Sequence, residues 1–129
     1  MSRTRNYASI VYPQSAPFGW LETLKNHHIP CFVSPLHTDD GKKEHFHILL
    51  KFDSVKTVAQ ARAVFETIGG VGCEPVKSLT SYARYLCHLD ETDKERYSPS
   101  DVICLNGADY ASMISVPDDR YSAISDMLE

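Results

Sequence analysis

The sequence predicts an α+β fold: an antiparallel central sheet with helices packed on one face and a functional site on the other. Three observations carry this. The segments run strand, helix, strand, strand, helix, strand, helix. A polar loop, LHTDDGKK, joins the second and third strands, which favours an antiparallel pair. The third strand, HFHILLKF, places Phe46, Ile48, Leu50 and Phe52 on one side and His45 and His47 on the other, because side chains in a strand alternate.

Residues 7–12, YASIVY, read as the first strand, and Pro13, Pro17 and Gly19 make the turn after it. Over residues 17–28, Trp20, Leu21 and Leu24 recur at helical spacing. Pro30 closes that helix and opens a second strand, PCFVSP, which Pro35 ends. The third strand spans residues 45–52. A helix over residues 57–68 shows the stripe Val58, Ala61, Phe65 and Ile68, with Gly69 and Gly70 as its stop. Residues 72–77 are a short strand weakened by Pro75. Ser78 or Thr80 caps the next helix, which runs to about residue 89 on Leu79, Tyr82, Ala83 and Leu86. Short helical pieces are expected over residues 102–105 and 110–113, and the stretch from Pro117 is expected to be loosely held.

At 129 residues the chain suits a single domain over 1–129, with 106–129 a peripheral acidic segment expected far from the site. A helicase or second nucleotide-binding domain does not fit in that length. The net charge of −4 is unevenly spread: residues 1–36 carry +2, residues 37–99 carry −1, and residues 100–129 carry −5. A body near neutrality can engage phosphates through a local basic patch and a bound cation. It excludes a high-affinity nonspecific DNA coater, which needs many phosphate-contacting cations. No apolar run reaches membrane-spanning length and no signal-peptide core follows the first residues, so the expected location is the cytoplasm, without a membrane partner. Cys31, Cys73, Cys87 and Cys104 lack metal or redox spacing and are expected to be small buried hydrophobes.

His45 and His47 project the same way, and His37 and an aspartate lie in the loop before them. A hairpin-like return brings that loop back over the sheet, so three imidazoles and a carboxylate can meet around Mn²⁺, or Mg²⁺, Co²⁺ or Zn²⁺. Asp40 is the favoured carboxylate, and Asp39 is a rival that spacing does not separate from it. Such a metal can hold a phosphate oxygen, but a nucleophile is still required. Gly-x-x-x-x-Gly-Lys, Gly-x-Ser-x-Gly and His-Glu-x-x-His are all absent, which argues against nucleotide hydrolysis, serine-elbow hydrolysis and a common metalloprotease arrangement. The best candidate nucleophile is Tyr85, which shares a helix flank with Ser78, Ser81 and His88, whereas Tyr82 falls on the packed stripe. A phenol of pKa near 10 is a poor nucleophile, and a nearby cation would lower it.

The stretch His45-Phe46-His47 resembles the HUH motif, two histidines around a bulky hydrophobic residue. More closely, YASIVYPQS, SPLHTDD, EHFHILLKF and YARYLCHLDETDKERY, in that order, resemble the origin-binding and nicking domain of rolling-circle plasmid replication initiators, the small streptococcal-type Rep proteins. The resemblance implies an HUH endonuclease with an RRM-like core. It implies that His37, Asp40, His45 and His47 hold one divalent ion, Mn²⁺ or Mg²⁺, and that Tyr85 is the catalytic nucleophile, with Tyr82 the alternative. It further implies nicking of the plasmid double-strand origin at an unpaired, hairpin-borne site through a 5′-phosphotyrosine, with a free 3′-OH for the host replication machinery to extend. Origin repeats beside the nick are the expected DNA partner, and Lys42, Lys43, Lys51 and Arg84 are expected to contact phosphates. Full-length relatives carry a C-terminal oligomerisation region, so a homo-oligomer and a missing C-terminal domain are expected. A mobilisation relaxase places its nucleophile near the N-terminus, where Tyr7 sits in a predicted central strand. The remaining rival is a non-catalytic origin-binding module with a structural metal.

Overall fold

The structure, a computed structural model, describes residues 3–38, 43–91, 94 and 96–115. Five strands form one sheet of order β4-β1-β3-β2-β5: β1 (Arg3–Val11), β2 (Cys31–Val33), β3 (Phe46–Thr57), β4 (Val71–Pro75) and β5 (Ile103–Leu105). Every neighbouring pair is antiparallel. Four helices pack on it: α1 (Trp20–Lys25), α2 (Val58–Glu66), α3 (Leu79–Tyr85) and α4 (Tyr110–Ile114).

The alternation along β3 divides the core in two. Ile48, Leu50 and Phe52 pack with Tyr7, Val11 and Val33 against Leu24 of α1 and Ala61 and Phe65 of α2. Leu49 packs on the opposite face with Ala8 and Phe32, beneath Ala83 and Leu86 of the α3 segment and Tyr110 of α4. The α1/α2 layer and the histidine row therefore stand on opposite faces, and α3 and α4 add a partial second cover beside the histidines. That cover leaves His45 half-buried and His47 buried.

Helix α2 starts where expected. Thr57 and Gln60 form a reciprocal capping box, and Gly69, at φ 76°, turns the chain where an added Cβ would lie 2.7 Å from Pro17 Cδ. Ser78 caps α3 by accepting from Ser81 N–H. Three expectations are corrected. Residues 102–105 are not helical: Ile103–Leu105 pairs with β2 as an edge strand, preceded by a 3₁₀ turn at Pro99–Asp101. Helix α1 is confined to Trp20–Lys25, because Gly19 enters left-handed and the chain turns out at His28, φ 59°. Strand β1 begins at Arg3 rather than Tyr7, because its hydrogen-bonding partner β3 runs on to Thr57. Cys31 and Cys87 are buried, but Cys73 is only partly covered and Cys104 is exposed on β5. Residues 116–129, including the stretch from Pro117, lie outside the described residues.

Candidate metal centre and its tyrosine

β2 ends at Val33, yet its pairing with β3 continues through side chains and one isolated bridge. Ser34 N–H donates to the His47 carbonyl at 2.9 Å, and the Ser34 hydroxyl accepts from His47 N–H at 2.9 Å. Three residues on, His37 N–H donates to the His45 carbonyl at 2.8 Å and His45 N–H to the His37 carbonyl at 3.2 Å. That reciprocal bridge is the predicted hairpin-like return, and it places His37 beside the two β3 histidines.

The three imidazoles converge. Ring centroids lie 4.6 Å apart for His37–His47, 5.0 Å for His45–His47 and 5.4 Å for His37–His45. One nitrogen from each lies within 4.8 Å of the others, a cluster able to coordinate a metal ion. Two of the rings are oriented by backbone. His37 Nε2 donates to the Leu86 carbonyl at 2.8 Å, and His45 Nδ1 donates to the Lys43 carbonyl at 2.7 Å. A carbonyl only accepts, so these contacts place the protons and leave Nδ1 of His37 and Nε2 of His45 as the basic nitrogens. His47 differs: its Nδ1 is buried with no hydrogen-bond partner among the described residues. Burial, then His37, His45, His88 and Lys94, lower its pKa from 6.5 to about 3. A neutral, buried imidazole whose Nδ1 has no partner among the described residues, beside two oriented rings, fits a divalent cation, which takes the neutral form as ligand. Asp40, with Asp39 and Lys42, lies outside the described residues.

Tyr85, the last residue of α3, reaches this cluster. Its ring centroid is 5.2 Å from that of His47, and it also borders an open pocket of about 470 Å³ lined by Glu74, Lys77, Ser81 and Tyr82. Tyr82 sits 5.5 Å from Tyr85 but belongs to the rim of the α3 core. Burial, then the Glu74 carboxylate, push its phenol above the ordinary range. Tyr7 is fully buried on the α1/α2 side, its hydroxyl donating to the Lys56 carbonyl at 2.6 Å.

Three further residues shape the site: Ser34 and Tyr97, to which sequence reasoning gave no role, and His88, which it placed on the Tyr85 flank of the helix. Ser34 extends the strand pairing. Buried His88, left-handed at φ 55°, sets its ring 4.6 Å from His37. Tyr97 stacks on His37 at 4.7 Å and 15°, and its hydroxyl accepts from Thr38 N–H at 3.1 Å. No periodicity marks Tyr97, because its segment is charged and irregular. The basic residues divide. Arg84 forks onto Asp90 at 2.9 Å and donates to the Ile114 carbonyl of α4, contacts that tie α3 to α4. Lys43 lies over the Tyr12 ring, and exposed Lys51 lies on the histidine side of β3, four residues from His47. Among the described residues no helix is long and apolar enough to cross a membrane.

The sequence is similar to those of known proteins. The chain is 36% identical to a Replication protein of Staphylococcus aureus, across 99% of this chain and 68% of that protein. It is 32% identical to the Replication protein RepB of Lactiplantibacillus plantarum, across 98% of this chain and 60% of that protein. It spans only part of the length of each. Residues 1–111 match the family described as plasmid replication protein, origin binding domain. That match takes in every strand of the sheet, all three clustered histidines and Tyr85, and on it the chain belongs to the origin-binding-domain family of plasmid replication proteins.

Proposed function

We propose that this domain is a metal-dependent, site-specific single-strand DNA endonuclease and strand transferase that nicks a plasmid origin through Tyr85. The observation that carries the reading is the Tyr85 ring lying 5.2 Å from that of His47, one of the three clustered histidines. His37, His45 and His47, with Asp40 as the proposed fourth ligand, would hold Mn²⁺ or Mg²⁺. That ion, when bound, would draw charge from the scissile phosphate and favour phenolate over phenol at neutral pH. Tyr85 Oη forms a bond to phosphorus as the bond from phosphorus to the 3′ oxygen breaks. The phenolic proton leaves to solvent, and the departing 3′ oxygen takes a proton from water. The products are a 5′-phosphotyrosine and a free 3′-OH, and the phosphodiester energy is kept in the new bond, so no nucleotide triphosphate is consumed. Reversal by another 3′-OH joins strands. The 3′-OH is the end a host polymerase extends, in keeping with the names of the relatives.

The test is an adduct assay: protein, Mn²⁺ and a panel of labelled single-stranded origin hairpins, resolved on a denaturing gel. The expected result is a covalent adduct lost in Tyr85→Phe and retained in Tyr82→Phe. Binding of the hairpins without cleavage or adduct by the wild-type protein would replace this reading with a non-catalytic origin-binding module. The relaxase arrangement has no support from Tyr7, which the core encloses.

A further inference from the structure

The pocket beside Tyr85 holds chemistry that the metal centre does not use. Helix α3 contributes Ser81, Tyr82 and Tyr85 to it, and β4 with the link after it contributes Glu74 and Lys77. Glu74 stands opposite Ala8 in the antiparallel β1–β4 register, and Ala8 lies in the core beneath α3. Side chains of paired residues share a face, so Glu74 rises on the histidine side of the sheet. The Tyr82 hydroxyl donates to its carboxylate. A carboxylate has about four acceptor sites and Glu74 is exposed, so that bond anchors it without exhausting it.

Charge alone does not explain a carboxylate here, because it repels the phosphates of a strand passing Tyr85. Exposed Lys77, on the same pocket, suits the backbone. Glu74 suits an uncharged group rich in hydrogen-bond donors, and an unpaired base offers one on its Watson–Crick edge. Adenine, cytosine and guanine each present an amino group there to an acceptor-only side chain. Thymine presents two carbonyls around a single N–H, and its oxygens face the carboxylate with like partial charge. The rings of Tyr82 and Tyr85, 5.5 Å apart at 64°, border the pocket and give the face of a base an aromatic wall.

We infer that Glu74 reads the base on the 3′ side of the nick, accepting from its amino group and rejecting thymine. The inference rests on the nicking reading and deepens it. In-line displacement fixes the side: Tyr85 Oη attacks opposite the departing 3′ oxygen, so the nucleotide that leaves lies beyond phosphorus. The nucleotide that keeps the phosphate lies nearer the tyrosine, and Tyr85 itself borders the pocket. Glu74 therefore reads the base that stays joined to the protein in the 5′-phosphotyrosine.

The experiment takes the origin hairpin that forms the adduct or, if none does, the one bound most tightly. It is resynthesised with each of the four bases in turn at each loop position. Binding is read by fluorescence anisotropy in Mn²⁺ with Tyr85→Phe, alone and combined with Glu74→Gln or Glu74→Ala. Adduct formation is read with Tyr85 intact. Thymine on the 3′ side of the nick is expected to weaken binding and slow the adduct about tenfold or more against the best other base. Glu74→Gln, whose amide offers thymine both a donor and an acceptor, should shrink that penalty to about twofold or less. Glu74→Ala should remove it as well. Indifference of the parent protein to the base there, or a thymine penalty confined to another loop position, overturns the inference. So does uniform tightening on all four bases with the penalty intact in both Glu74 variants, which would leave the carboxylate a role in charge alone. A protein that forms no adduct with any hairpin, yet shows at one loop position a thymine penalty that Glu74→Gln abolishes, removes the nicking reading and keeps Glu74 as the base-reading residue.

Discussion

The buried ring of His47 makes the stability of the metal-free protein depend on pH, and one substitution isolates the effect. The residue is 5% exposed, and its pKa is lowered to about 3 from 6.5, by burial first and then by His37, His45, His88 and Lys94. In the unfolded chain the same imidazole titrates at its ordinary value. Between those two values the unfolded state binds the extra proton, so stability rises with pH through this window and is lost on acidification. Each unit is worth about 1.4 kcal/mol, so bringing the pH from the unfolded pKa to about 5 removes about 2 kcal/mol through this residue. The assay is urea unfolding in a chelator at about pH 7 and about pH 5, on wild type and His47→Gln, with linear extrapolation. The other histidines are present in both proteins, and their contributions largely cancel in the difference. Wild type is expected to lose about 2 kcal/mol more than the variant over this pH step. Equal losses in the two proteins would refute the buried neutral imidazole, and with it the argument that the cluster holds a ready metal ligand.

Three other outcomes follow from the same geometry. Mn²⁺ should raise the melting temperature in proportion to the logarithm of its concentration above the dissociation constant, by about 2.7 kcal/mol of stability at a hundredfold excess, and His45→Ala should abolish the rise. A melting temperature indifferent to divalent cations would show that the histidines are not a metal centre. Tyr97→Phe keeps the stack on His37 and loses the bond from Thr38, a loss of about 1 kcal/mol, whereas Tyr97→Leu also removes the stack and should weaken Mn²⁺ binding about tenfold by calorimetric titration. Unchanged affinity in the leucine variant would make the stack incidental. Leu49→Ala opens a cavity between the sheet and α3 and should cost about 2 to 5 kcal/mol in chemical unfolding, and a loss below about 1 kcal/mol would mean that α3 is not held by this core.

What the sequence made legible was whatever a local pattern enforces. The alternation in HFHILLKF separated the histidines from the core row, and the structure keeps that division. The stripe of Val58, Ala61, Phe65 and Ile68 and the glycine pair marked α2 because helical spacing and left-handed turns are short-range chemistry, and the structure adds the Thr57–Gln60 capping box. The misses are places where a distant partner decides. Residues 3–6 have no apolar alternation and are strand only because β3 lies alongside. Ile103–Leu105 looks equally good as helix or strand, and its register with β2 settles the matter. Tyr97 reaches the site from an irregular, charged stretch whose path no periodicity encodes, and His88, which helical spacing placed on the Tyr85 flank, gets there through a left-handed turn after α3 has ended.

The end of α3 joins the histidine cluster to Tyr85, the proposed nucleophile. Leu86 caps α3, and the carbonyls at a helix end have no partner within the helix. The Leu86 carbonyl is satisfied by Nε2 of His37, while Leu86 itself is buried against Leu49 and Phe32. Tyr85 is the residue immediately before it. One hydrogen bond therefore ties the orientation of a ring in the candidate metal cluster to the helix end that carries Tyr85, the proposed nucleophile. A displacement of α3 that moved Tyr85 from His47 would also strain the contact that fixes the His37 tautomer. Loosening α3 from beneath, as Leu49→Ala does, should then weaken Mn²⁺ affinity and adduct formation together. Retention of full Mn²⁺ affinity by a folded Leu49→Ala protein that had lost nicking would show that the two are positioned independently.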